Sequence, residues 1–274
     1  MAGPGAPAAG GVLVAEGDSW FDYPLDDVLS ILERAHQFRI EQDAHKGDTL
    51  ESMAYDASQF TRLARKFEHL RDDHHPPRAI LLSAGGNDIA GDEFAVLINH
   101  VKSGLPVVNA RVIEGIIDDR LRVALASLIA SMTRLSEEYF GRRIPIVIHG
   151  YAYVVPDGRG YLGGGWVLPG PWLRPGFRRK GHLELKDNRD VMIYVIDRYN
   201  RMLAAVAKEK RFEHVHYLDL RALLSNELPR AYRKSWANEL HPTDAGFAVV
   251  ANAFADLVNR FPPAGEVSAA TRRR

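Results

Sequence analysis

The chain has 274 residues, 46% of them hydrophobic, with 35 basic and 35 acidic residues and no cysteine. That length and apolar content allow a sizeable buried core, and a formal charge of zero gives no net field favouring nucleic acid or an anionic membrane surface. The lack of cysteine excludes disulfides, thiolate zinc sites and a thiol nucleophile, while leaving the redox compartment open.

The first ten residues, MAGPGAPAAG, lack the basic start and continuous apolar core of a secretory signal and read as a disordered leader. Cytoplasmic residence is therefore the default expectation, with export left open. No window approaches the ~18 to 20 uninterrupted apolar residues of a membrane-spanning helix. From there, short apolar runs with the length and branching of buried strands recur: 12–15 (VLVA), 37–42 (QFRIEQ), 79–83 (AILLS), 144–150 (IPIVIHG) and 215–220 (VHYLDL). Between them lie segments of helical periodicity. LDDVLSILERAHQ carries Leu25, Val28, Leu29 and Leu32 on one face. The stretch beginning TLESMAYDASQF repeats the pattern with Leu50, Met53, Phe60, Leu63, Ala64 and Phe67, which predicts one helix with these residues in the core. Further helices are expected over 114–140, 188–210 and 243–260. Strand and helix alternating along one chain predict a parallel sheet covered on both faces.

Residues 154–181 break this rhythm with many glycines and prolines and no period, so no regular element is expected there. Trp166, Trp172 and Phe177 would be costly to leave in water, which predicts a flap folded over the sheet edge. No linker or internal repeat divides the chain. The expectation is one domain over 11–262 carrying this insert, followed by a flexible tail at 263–274.

The stretch EGDSWFDYP places Ser19 just beyond the first predicted strand. A serine hydroxyl becomes a nucleophile only with a nearby base and donors for the oxyanion formed when it attacks a carbonyl. Ser19 is suited to this at the carboxyl end of a buried strand, ahead of a helix. The competing reading is that Asp18, Ser19 or Asp22 caps that helix. Three further stretches bear on the choice. HKGDT places Gly47 at a turn after the second strand, SAGGND places Asn87 and Asp88 after the third, and NELHPTDAGF places His241 ahead of the last helix.

Taken together and in this order, the blocks resemble those of the SGNH hydrolase superfamily, the GDSL esterases and lipases. The resemblance spans residues 12–247. It implies a three-layer α/β/α fold of flavodoxin-like type with about five parallel strands, and a serine-dependent carboxylic ester hydrolase that works through an acyl-enzyme. Carried over residue by residue, it makes Ser19 the nucleophile and His241 the general base. The amides of Ser19 and Gly47 and the side chain of Asn87 become the oxyanion donors. The family usually has an aspartate three residues before the histidine; here that position is Asn238. An asparagine can accept from the imidazole but cannot stabilise imidazolium by charge, which implies reduced activity. Glu239, Asp219 or a backbone carbonyl are the alternatives for orienting the ring.

The expected substrate is a small-molecule or lipid ester with a short acyl or aryl group, and no metal or organic cofactor is implied. A carbohydrate O-acetylesterase, or a non-catalytic binding domain on the same fold, are the alternatives. Other residues carry weaker signals. His149 at the end of the fourth strand is a cleft candidate or a structural histidine, while His74 and His75 in RDDHHPP read as a solvated turn before metal ligands. Asp88 and Asp18 are placed to hold their loops through backbone amides. Trp20, Phe21 and Tyr23 could wall an acyl pocket, and the RPGFRRK cluster at 174–180 could meet an anionic group. Neither a glycine-rich phosphate loop after a strand nor a basic nucleic-acid groove occurs, so no nucleotide or nucleic-acid partner is expected.

Overall fold

The computed structural model describes residues 9–24, 26–163 and 168–263. Leu25, Trp166 and the stretches 1–8 and 264–274 of the expected leader and tail lie outside the described residues.

Five strands, β1 (Gly11–Gly17), β2 (Phe38–Gln42), β3 (Ala79–Ser83), β4 (Ile146–His149) and β5 (Val215–Leu218), form one parallel sheet in the order β2-β1-β3-β4-β5. Each falls on one of the apolar runs. β3 lies in the middle and is buried at every position, as expected of a strand covered on both faces. β2, at the edge, is only partly buried and carries the weakest apolar signal.

Nine α-helices are assigned among the described residues: α1 (Val28–His36), α2 (Leu50–Tyr55), α3 (Ala57–Asp72), α4 (Gly86–Ile89), α5 (Ala110–Glu114), α6 (Arg122–Phe140), α7 (Arg174–Arg179), α8 (Leu185–Ala207) and α9 (Asp244–Val258). The chain steps one way from β1 to β2 and the other way for every later strand. Right-handed crossovers therefore put α1 on one face of the sheet and α3, α6 and α8 on the opposite face. α9 returns to pack against α1, completing the three layers.

Four expectations need correction. The single helix predicted from Leu50 onward is two, because Asp56 caps a new start by accepting from the N–H groups of Ser58 (2.7 Å) and Gln59 (3.3 Å). Met53, Leu63 and Phe67 are buried as expected, but Phe60 is 36% exposed and not core. The helix expected from residue 114 begins earlier: α5 runs through a π-helical stretch, Gly115–Leu121, into α6. Finally, the 154–181 segment is not wholly irregular, since Arg174–Arg179 forms α7 with Pro175 in its first turn, where a missing N–H costs no intrahelical bond. Phe177 of α7 is buried against Phe94, ring centroids 4.8 Å apart, so the segment packs on the loop region after α4.

The strand order reverses at β1 and β3. In open α/β sheets the crevice beyond the carboxyl ends of the strands at such a point is where ligands bind. β1 and β3 end at Gly17 and Ser83, just ahead of Ser19 and Asn87.

Candidate active site

Ser19 sits on the turn that leaves β1, with the N–H groups of Phe21 and Asp22 returning to the Asp18 carbonyl at 3.0 and 3.1 Å. It does not cap a helix. α1 begins later, capped by Asp27, whose side chain accepts from Ser30 N–H at 2.7 Å, so the capping reading for Asp18, Ser19 and Asp22 falls away. The helix amino end expected just behind Ser19 falls away with it. The turn is held from below instead. Buried Asp18 accepts from Trp20 N–H (3.0 Å), from the Ser83 hydroxyl (2.8 Å) and from the Tyr151 hydroxyl. Tyr151 in turn accepts the Gly86 N–H at 3.1 Å, tying the serine turn to the GGND turn. Burial pushes the Asp18 carboxyl up, while its three donors favour the ionised form.

The GGND turn demands glycine at Gly85. Its φ is +99°, and an added Cβ would come within 2.0 Å of the Tyr199 hydroxyl, which donates to the Ala84 carbonyl at 2.6 Å. Asn87 follows within α4. One N–H of its side-chain amide donates to the Asp48 carbonyl (2.8 Å), which leaves the second for a ligand. Asp88 accepts Leu50 N–H at 2.8 Å and so pins α2, as its loop-holding role required; burial pushes it up to about 6. Gly47, at φ +92°, is exposed on the loop between β2 and α2, with Lys46 N–H held by Asp22 at 2.9 Å. Among the described residues no acceptor takes the Gly47 N–H.

His241 arrives from the far end of the chain on the loop before α9. Its Nε2 lies 2.7 Å from Ser19 Oγ and its Nδ1 lies 3.0 Å from Asn238 Oδ1. That same oxygen accepts the N–H groups of Leu240 (3.0 Å) and His241 (2.9 Å), which fixes which way the amide faces. An amide oxygen can only accept, so Nδ1 carries the proton and Nε2 is free to accept from Ser19. The Asn238 amide group donates to the Tyr23 hydroxyl at 3.1 Å, and the Tyr23 ring stacks on the imidazole at 4.4 Å. Trp172 meets the ring edge-on at 5.4 Å. Trp20 Nε1 donates to the Leu240 carbonyl at 3.1 Å and so joins the serine turn to the histidine loop. Burial with no facing carboxylate lowers His241 to about 3.

A model of the GDSL-like lipase/acylhydrolase family matches residues 2–249. The chain belongs to this family of lipases and esterases. No curated protein matches the sequence. Solved structures share the fold at low identity. The inhibitor-bound aryl esterase of M. smegmatis is 12% identical, with 92% of this chain and 100% of that one covered and a TM-score of 0.52. A GDSL-like lipase from Parabacteroides merdae is 13% identical, with 93% and 98% covered and a TM-score of 0.50.

In this GDSL-like chain the four separated blocks meet in one crevice, with Ser19, Gly47, Asn87 and His241 lining a common cleft. Of the candidates for the imidazole's far side, Asn238 is the one in contact. Glu239 is elsewhere: its buried carboxylate accepts four N–H groups of the 154–181 segment, from Gly158 (2.9 Å), Trp172 (2.7 Å), Leu173 (2.7 Å) and Arg174 (3.0 Å). Asp219 is taken up by Arg221 at 2.6 to 3.1 Å. His149 is structural rather than cleft-lining: it is 2% exposed, stacks on Trp20 at 5.6 Å and donates its Nδ1–H to the Gly150 carbonyl at 3.0 Å. Tyr23 and Trp20 reach the crevice, whereas Phe21 is buried against Phe254. Of the 174–180 cluster, Arg178 and Arg179 are exposed and line neither cavity at Ser19.

Sequence reasoning named Tyr23 as a pocket wall and Glu239 as a rival for orienting the ring, but missed that Tyr23 stacks on the imidazole and that Glu239 clamps the 154–181 segment. A tyrosine four residues after a serine signals nothing by spacing, and a lone glutamate gives no hint of four amide partners. His74 and His75 lie in the turn after α3, and among the described residues no group of His, Asp and Glu side chains is arranged to hold a metal. No helix among the described residues is long and apolar enough to cross a membrane.

Proposed function

We propose that the protein hydrolyses carboxylic esters through an acyl-enzyme on Ser19. The observation that carries this reading is the continuous chain from Ser19 Oγ to His241 Nε2 and from Nδ1 to Asn238, at 2.7 and 3.0 Å, made by residues far apart in sequence. As Ser19 Oγ forms a bond to the ester carbonyl carbon, its proton passes to Nε2. The carbonyl oxygen becomes an anion facing the amides of Ser19 and Gly47 and the second N–H of the Asn87 side chain. Collapse breaks the carbon–alkoxy bond, and the departing alkoxide takes the proton from Nε2. Water then repeats the sequence on the acyl-serine, with Nε2 as its base, and frees the carboxylic acid.

The cleft beside His241 supports an apolar or aromatic alcohol in the substrate. It holds about 390 Å³ and is walled by Tyr23, Pro24, Tyr161, Leu168 and Trp172. Labelling with a small fluorophosphonate tests the reading: Ser19 is modified in the native protein and loses that reactivity in His241→Ala. An unmodified Ser19 in folded protein, with no turnover of any ester, would instead favour a binding domain on the same fold.

A further inference from the structure

Two cavities open at Ser19, and they differ about tenfold in size. The cleft of about 390 Å³ contains His241 on its wall. The second, of about 40 Å³, runs inward from Ser19 and Asn87 between Trp20, Ile89, Val154, Leu173, Met192 and Ile196, and His241 is not among its walls.

Proton bookkeeping in ester cleavage decides which half of a substrate goes where. The alkoxide must collect its proton from His241 Nε2, so the alcohol half departs on the side that holds the imidazole. The acyl half stays on Ser19 Oγ and is left with the other cavity. We propose that the small chamber is the acyl site and that it admits an acetyl group, with propionyl at its limit. This rests on the serine-hydrolase reading given above. The substrate class is then acetate esters of bulky apolar or aromatic alcohols.

Volume sets the limit on the acyl chain. An apolar cavity of ~150 Å³ holds benzene, six carbons, so about 40 Å³ accommodates one or two carbons beyond the carbonyl. The walls are not free to withdraw. Leu173 is fully buried and Met192 and Ile196 are each 3% exposed, the latter two one turn apart on α8. Leu173 is also fixed through its backbone, since its N–H and that of Trp172 both donate to Glu239 Oε2 at 2.7 Å. One carboxylate therefore holds a wall of each cavity, Leu173 for the acyl chamber and Trp172 for the alcohol cleft.

The test is kcat/KM on nitrophenyl acetate, propionate, butyrate and hexanoate, with fluorophosphonate labelling of Ser19 run in parallel. The expected profile falls at least tenfold from acetate to butyrate, in keeping with the ~10- to 200-fold that one methylene is worth in a fitted pocket. Met192→Ala should raise the butyrate-to-acetate ratio tenfold or more. Ile196→Val, which removes a single methylene and perturbs folding least, should raise the propionate-to-acetate ratio several-fold. A labelled Ser19 with a profile that is flat or favours butyrate would overturn the acyl-site assignment and leave the hydrolase reading standing. So would ratios that stay unmoved in both variants. Absence of labelling together with no turnover of any ester would remove the hydrolase reading and this assignment with it.

Discussion

The Nδ1–H of His241 donates to an amide oxygen, Asn238 Oδ1, at 3.0 Å, where a carboxylate is the more usual partner. The amide does the orienting work in full, holding ring and backbone through three N–H groups that converge on one oxygen. What it lacks is charge. Burial alone then governs the ring, and it lowers His241 to about 3.

Asn238→Asp supplies the missing charge without changing the shape of the site. A carboxylate can accept the same three N–H groups, and the Tyr23 hydroxyl can turn round to donate to it. In the proposed mechanism the imidazolium formed as Ser19 attacks becomes cheaper, so kcat/KM should rise by at least about tenfold. Asn238→Ala removes the orienting acceptor and should lower kcat by a similar factor or more. Steady-state kinetics on an aryl acetate decides it, and an Asn238→Asp enzyme no faster than the native one would mean that charge behind the ring is not limiting.

The pH dependence follows with its sign. Because His241 is neutral in the folded protein down to about 3, the acid limb of kcat/KM should lie well below the ordinary histidine value of 6.5, bounded in practice by unfolding. Asn238→Asp should move that limb up toward neutrality. Stability has a matching dependence. His149 is lowered to about 4 and His241 to about 3, so the unfolded chain takes up two protons that the folded one resists. Their contribution is intact above 6.5 and is lost as the pH falls toward 4 and 3. Urea unfolding at a series of pH values between 7 and 4 measures it.

Glu16 acts in the opposite direction. It lies 2% exposed at the end of β1, with one carboxylate oxygen unpartnered, and burial together with Asp43 and Asp48 pushes it up to about 9. The unfolded side chain ionises near 4.5, so stability is lost as pH rises from there toward 9. Glu16→Gln removes the titration. It should leave stability little changed near pH 4 and raise it at pH 8, by on the order of 3 kcal/mol. Thermal or urea melts of both proteins at the two pH values check this, and an equal effect at both would show that ionisation is not the cause.

Glu239→Gln keeps the length of the side chain but replaces one acceptor oxygen with an amide donor facing N–H groups. The clamp on the 154–181 segment should weaken by on the order of 2 to 4 kcal/mol. Because the clamp holds walls of both cavities, KM should rise more than kcat falls, and acyl-length discrimination should narrow. Hydrogen exchange localises the effect: Trp172, Leu173 and Arg174 should lose protection, while the sheet keeps it. A uniform loss of protection across the molecule would contradict a local clamp.

Much of the fold was readable from the chain because its signals are local. AILLS and IPIVIHG are long enough and apolar enough that only a strand covered on both faces suits them. The one long helix expected from Leu50 failed for a local reason as well: Asp56 offers its side chain to two amides and starts a second helix, a competition that apolar spacing does not register.

The candidate site divides along the same line. Through its resemblance to the SGNH hydrolases, the sequence set out Ser19, Gly47, Asn87 and His241 in order, with an asparagine where that family usually has an aspartate. Which oxygen faces the imidazole, where Glu239 goes, and how unequal the two cavities at Ser19 are could be decided only by the tertiary structure. Each depends on distances between segments up to some two hundred residues apart, and those distances are fixed by sheet order and by the burial of groups that must then find partners.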